Sequence, residues 1–97
     1  METLANLMQL SKEIEIVNKL GMHARAAAKF VQLASRFECH VDIERDDKRI
    51  NGKSIMGVMM LAANKGSSIT IHADGDDAQL CIEQLELLIN NRFDEEE

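Results

Sequence analysis

Glu13-Ile14-Glu15-Ile16-Val17-Asn18-Lys19-Leu20-Gly21-Met22-His23-Ala24-Arg25-Ala26-Ala27-Ala28-Lys29-Phe30 changes its hydrophobic period part-way along, and that change sets the architecture. Residues 13–17 alternate charged and apolar, the pattern of a half-buried strand. Asn18-Lys19-Leu20-Gly21 breaks the pattern. Beyond it Ala27, Phe30, Val31 and Ala34 fall on the stripe of an amphipathic helix, predicted over 24–37, and three successive alanines favour the helix further. His23 therefore lies at a helix N-terminus, beside unpaired backbone N–H groups and two residues before Arg25. Such a terminus stabilises anions through its orphan donors and the macrodipole. An imidazole placed there can carry a phosphoryl group whose negative charge is already provided for.

Downstream, residues 39–45 alternate again, with Val41 and Ile43 on one face and Asp42 and Glu44 on the other. Asp46-Asp47 turns the chain into a short return strand at 48–50, which makes a hairpin. After the turn at Asn51-Gly52-Lys53, Ser54 precedes Ile55-Met56-Gly57-Val58-Met59-Met60-Leu61, and a serine before an apolar run signals a helix N-cap. Asn64-Lys65-Gly66 ends that helix. A fourth strand is predicted over 68–73, with Ile69, Ile71 and Ala73 on one face and Thr70 and His72 on the other. Asp74-Gly75-Asp76 turns the chain and caps a last helix, whose apolar stripe is Ala78, Cys81, Ile82, Leu85, Leu88 and Ile89. The order β-α-β-β-α-β-α, with one apolar face per strand, predicts an α+β open-faced β-sandwich: a four-stranded antiparallel sheet with three helices on one face. The main domain is placed at 12–93. Residues 1–11 form an extension, either unstructured or a short helix, and 94–97 a frayed acidic tail.

The 97 residues suffice for one core. The net charge of -6, with three Phe and neither Trp nor Tyr, argues against nucleic acid, whose phosphates need a basic face and whose bases need stacking partners. An acidic surface suits protein partners that present Lys and Arg. Cys39 and Cys81 are far apart in sequence with no metal-ligand spacing, and read as buried thiols in a reducing, cytoplasmic setting. No apolar run approaches the ~20 residues of a membrane span. His40 and His72 read as ordinary strand positions, and His40 with Cys39 makes no metal site.

Gly21-Met22-His23-Ala24-Arg25-Ala26-Ala27 resembles the active-site motif of HPr, the histidine phosphocarrier of the bacterial phosphotransferase system. Asn51-Gly52-Lys53-Ser54-Ile55-Met56-Gly57-Val58-Met59 resembles the second signature of that family, around its regulatory serine. The likeness runs from Lys12 to Phe93. The ending Asn90-Asn91-Arg92-Phe93-Asp94-Glu95-Glu96 resembles proteobacterial, nitrogen-branch members. One position departs: the family commonly has proline where this chain has Ala26, which leaves an extra backbone donor near the phosphate.

The resemblance implies that the chain is a stoichiometric carrier rather than an enzyme, works without cofactor or metal, and acts as a cytoplasmic monomer. It would take a phosphoryl group from enzyme I, charged by phosphoenolpyruvate, and pass it to an enzyme II A-type domain. It assigns the nucleophile to His23, through Nδ1. The amides of Ala24 and Arg25, with the Arg25 guanidinium, would bind the phosphoryl oxygens. It makes Ser54 a target of HPr kinase/phosphorylase, and Met22, Ile55, Met56 and Met59 a docking surface. The outlet is sugar transport or nitrogen regulation. Rival readings are a small α/β binding or regulatory module in which His23 only caps a helix and, more remotely, a metal chaperone.

Overall fold

In the computed structural model, which describes residues 9–96, the elements follow in the order β1 (Gln9–Glu15), α1 (Ala24–Ala34), β2 (His40–Arg45), β3 (Lys48–Asn51), α2 (Ile55–Met60), β4 (Ser68–Asp74) and α3 (Ala78–Asn90), ending in a 3-10 turn at Arg92–Asp94. The strands form one antiparallel sheet in the order β1-β4-β2-β3. β4 lies inside it, with Ile69 opposite Ile14 and Ile71 opposite both Lys12 and Ile43. The alternation read from the sequence sets which face is covered. Ile69, Ile71 and Ala73 are buried with Val41 and Ile43 against the helices, and the intervening residues face away from them.

The helices close that face. α1 contributes Ala26, Ala27, Phe30, Val31 and Ala34, α2 contributes Val58, and α3 contributes Ala78, Cys81, Ile82, Leu85 and Ile89. Leu88, predicted on the α3 stripe, is only partly buried against this core. On the opposite, uncovered face the polar residues pair both across strands and along β2. His72 bridges Ser11 on β1 and Glu44 on β2, at 2.7 Å from each, and His40 pairs with Asp42 at 2.9 Å. Both histidines hold ordinary strand positions with satisfied partners. Among the described residues no helix is long and apolar enough to cross a membrane.

Several boundaries differ from expectation, each for a local reason. β1 begins at Gln9, so residues 9–11 belong to the sheet and not to an extension: Gln9, Leu10 and Ser11 face Asp74, Ala73 and His72. The rest of the expected extension, residues 1–8, lies outside the described residues. α1 stops at Ala34 instead of 37, because Arg36 and Phe37 donate to Leu33 and Ala34, the tighter i to i−3 bonds that close a helix end. Asp77, rather than the preceding turn, is the N-cap residue of α3. Its carboxylate serves another segment, accepting the backbone N–H groups of Glu38 and Cys39 at 2.9 Å each. The acidic tail is not frayed throughout: Phe93 is fully buried and Glu95 is partly buried.

Candidate functional site

The loop before α1 is shaped by Gly21. Its φ is +67°, and a Cβ there would lie 2.5 Å from the Ala63 carbonyl oxygen and 2.9 Å from Asn64 Cα. The chain can pass this close to the 63–64 segment only without a side chain. Met22 then donates its N–H to that same carbonyl at 2.8 Å. Its side chain turns into the core and is 4% exposed, so Met22 anchors the loop and is not available as the docking residue it was expected to be.

His23 follows as the N-cap residue of α1, in extended conformation, and its carbonyl accepts the N–H of Ala27 at 2.8 Å. The imidazole makes no capping bond. Its position at the N-cap therefore rests on the backbone and not on a bond from the ring. Among the described residues no backbone carbonyl accepts from the amides of Ala24, Arg25 or Ala26. Those donors and the positive end of the helix dipole lie at the start of α1, which His23 leads. Arg25 is exposed and makes no ion pair among the described residues. Lys19, Leu20, His23, Ala24, Arg25, Glu95 and Glu96 line one open depression. An anion seated there would meet backbone donors and a guanidinium together.

Two members of this site escaped sequence reasoning. The Nε2 of His23 pairs closely with Glu95 Oε2. The other carboxylate oxygen of Glu95 accepts from Asn18 Nδ2 at 2.9 Å, and the same amide nitrogen donates to the Gly21 carbonyl at 2.8 Å. Asn18 is fully buried, and its Oδ1 has no partner among the described residues. Burial pushes the Glu95 carboxyl upward. The hydrogen bonds from Asn18 and His23 and the charges of His23 and Lys29 outweigh this and hold it below its ordinary value of 4.5. Among the described residues no group of three or more His, Cys, Asp or Glu is arranged to hold a metal ion.

The family model for the HPr component of the phosphotransferase system, described by its phosphorylation site, matches residues 10–91. The chain belongs to the HPr family. It is 54% identical to the phosphocarrier protein HPr of Pseudomonas putida, over 90% of this chain and 98% of that one. A crystal structure of HPr from Thermoanaerobacter tengcongensis superposes with a TM-score of 0.87 at 45% identity, covering 91% of this chain and 99% of that one. A second structure from that organism, described as an HPr dimer, gives a TM-score of 0.72 at 48% identity over 84% of this chain and 94% of that one. The chain is thus a phosphocarrier of the phosphotransferase system, a component that carries a phosphoryl group and does not itself catalyse turnover.

The second HPr signature takes the form its sequence suggests. Ser54 is the N-cap residue of α2, and its Oγ accepts the Gly57 N–H at 3.1 Å. Helix α2 exposes more apolar surface than it buries. Val58 and the C-cap Leu61 go into the core, while Ile55, Met56, Met59 and Met60 are 43%, 71%, 40% and 69% exposed. Ile55, which could have faced the sheet, instead joins the methionines outside. α2 packs against α1, and Leu20, 66% exposed, lines the depression around His23. The two thiols sit elsewhere, between the start of β2 and the first turn of α3. Both are buried in the core, and burial raises the pKa of each, that of Cys81 to about 12.

Proposed function

We propose that His23 is the residue on which this carrier bears its phosphoryl group, taken from phospho-enzyme I and delivered to an enzyme II A-type domain. The observation that carries the reading is one depression lined by His23, Ala24 and Arg25 at the start of α1, where among the described residues the amides of Ala24 and Arg25 have no backbone acceptor and the Arg25 guanidinium no ion pair. In phosphoryl transfer, positioning and charge stabilisation do most of the work. The amides of Ala24 and Arg25 bind the equatorial oxygens, and Arg25 adds charge-assisted hydrogen bonds. Ala26, where the family commonly has proline, offers one more donor.

Partners dock on the exposed face of α2. Ile55, Met56 and Met59 supply flexible apolar contacts that can fit more than one protein surface. Ser54 is the regulatory position, phosphorylated by HPr kinase/phosphorylase. A phosphoserine at a helix N-terminus leaves the helix intact, and its charge, nearly two units negative, disturbs the docking face instead. The protein works in the cytoplasm as a monomer, although a dimer has been described for HPr of Thermoanaerobacter tengcongensis.

Intact mass after incubation with phosphoenolpyruvate and a bacterial enzyme I tests the central assignment. One acid-labile phosphoryl adduct is expected, absent from His23→Ala. An adduct retained by that variant places the phosphoryl group elsewhere, and no adduct on a folded wild-type chain overturns the reading.

A further inference from the structure

We infer that Glu95 is a positioning residue for transfer at His23, delivered to the imidazole by a strained C-terminal strap that presents Nδ1 as the free nitrogen. The inference rests on the reading of His23 as the phosphoryl acceptor. Arg92, Phe93 and Asp94 have φ of 59°, 55° and 65°. Three successive non-glycine residues in the left-handed region cost free energy that other contacts must offset. Here the Phe93 ring is fully buried, its carbonyl accepts from Lys29 Nζ at 2.6 Å, and the amides of Asp94 and Glu95 close on Asn91 and Arg92 at 3.0 and 2.9 Å. Lys29 belongs to the helix that begins at His23, so strap and nucleophile are tied to one element.

The strap brings the Glu95 carboxylate between two donors. Its Oε1 accepts from the buried Asn18 amide, and its Oε2 meets His23 Nε2. Asn18 cannot turn its amide over, because its nitrogen faces two acceptors, Glu95 and the Gly21 carbonyl. A flipped oxygen would confront both. The carboxylate is thus fixed in place and presents only acceptors to the ring. A neutral imidazole has one N–H, and facing a carboxylate that proton must sit on Nε2. The lone pair is then on Nδ1.

During transfer the Nδ1 lone pair forms the new N–P bond while the bond from phosphorus to the donor atom of phospho-enzyme I breaks, and that atom keeps the electron pair. The Nε2 proton stays on His23, so the ring gains positive charge as the bond forms, and Glu95 faces that charge. The carboxylate fixes the tautomer first and stabilises the ring next, as a buried acid does for a catalytic histidine elsewhere.

The test uses the full chain, labelled with 15N, and reads the His23 ring by long-range proton–nitrogen correlation in its neutral form, together with the rate of phosphoryl uptake from phospho-enzyme I. The wild type should show the proton on Nε2. Glu95→Ala should give a mixture of tautomers and an uptake rate about tenfold lower. Glu95→Gln has one oxygen for two donors: with that oxygen on the fixed Asn18 amide, its NH2 faces His23 Nε2 and favours the ring protonated on Nδ1, so it should shift the tautomer and slow uptake as well. A wild-type ring protonated on Nδ1, or an alanine variant with unchanged ring signals and rate, overturns the inference. A wild-type chain that accepts no phosphoryl group sinks the acceptor reading and with it the transfer role, whereas the ring signals judge the Glu95 contact on their own.

Discussion

Arg25 and Glu95 stand on either side of His23 with opposite duties, and only one of them depends on the fold to be recognised. Arg25 is exposed and makes no ion pair among the described residues, so its removal should change stability by no more than about 0.5 kcal/mol either way. Its hydrogen bonds to a phosphoryl group are charge-assisted and worth about 1.5–3 kcal/mol, so Arg25→Ala should slow transfer about ten- to hundredfold. Rapid-quench transfer rates beside a thermal melt check both halves, and a variant that melts early would count against a purely functional role. Arg25 and His23 were legible in the sequence because two residues of spacing across a helix start fix their relation locally. Glu95 was not. It is 72 positions from His23 and sits in a run of acids that reads as solvated tail, and its contact exists only because Phe93 enters the core. Asn18 read as a turn residue for the same reason, since nothing local shows that its side chain is buried.

The elements were legible wherever periodicity rather than termination decided them. The alternations of β2 and β4 and the stripe of α1 lie where the pattern puts them, as does that of α3 apart from the half-buried Leu88. The errors cluster at ends, as in α1, where a competing i to i−3 bond closes the helix before the apolar stripe is exhausted, and in β1, whose first residues pair with β4 although they lack alternation. The loop from β1 to α1 is the element on which the site depends, and Gly21 is its constraint. Gly21→Ala would combine a positive φ with a 2.5 Å clash against backbone, which cannot rotate away, and should cost about 1–3 kcal/mol. Gly66→Ala shares the positive φ, at +90°, but its Cβ would meet nothing within 4 Å, so it should cost less. Urea unfolding of the two variants separates clash from conformational strain. The Gly21 variant should also lose transfer rate beyond its stability loss, since its backbone shift moves Met22 and the imidazole after it. Equal losses at the two glycines would mean that the close approach to Ala63 has no energetic weight.

Across the whole molecule, two carboxylates tie distant segments together, and both make stability depend on acid. Glu95 joins the C-terminal strap to the β1–α1 loop. Asp77 joins the start of α3 to the chain entering β2, and it is held below its ordinary 3.8 chiefly by the Glu38 amide, which with the Cys39 thiol and amide outweighs the opposing effect of burial. For a group whose folded pKa is depressed, the unfolded chain binds the proton more readily. The stabilisation is therefore complete above the unfolded values, 4.5 for Glu95 and 3.8 for Asp77, and disappears as pH falls through the folded ones. Melting temperatures followed from neutrality to about pH 3 should accordingly decline below about pH 4.5 in the wild type. Glu95→Gln and Asp77→Asn each lack one contribution, so each should melt below the wild type at neutral pH and approach it as the solution is acidified. The Glu95 gap should begin to close first, because its unfolded value is the higher. Gaps that stay constant with pH would show that the native carboxylates bind protons as the unfolded chain does, and that the strap is held by Phe93 and Lys29 without help from the charge on Glu95.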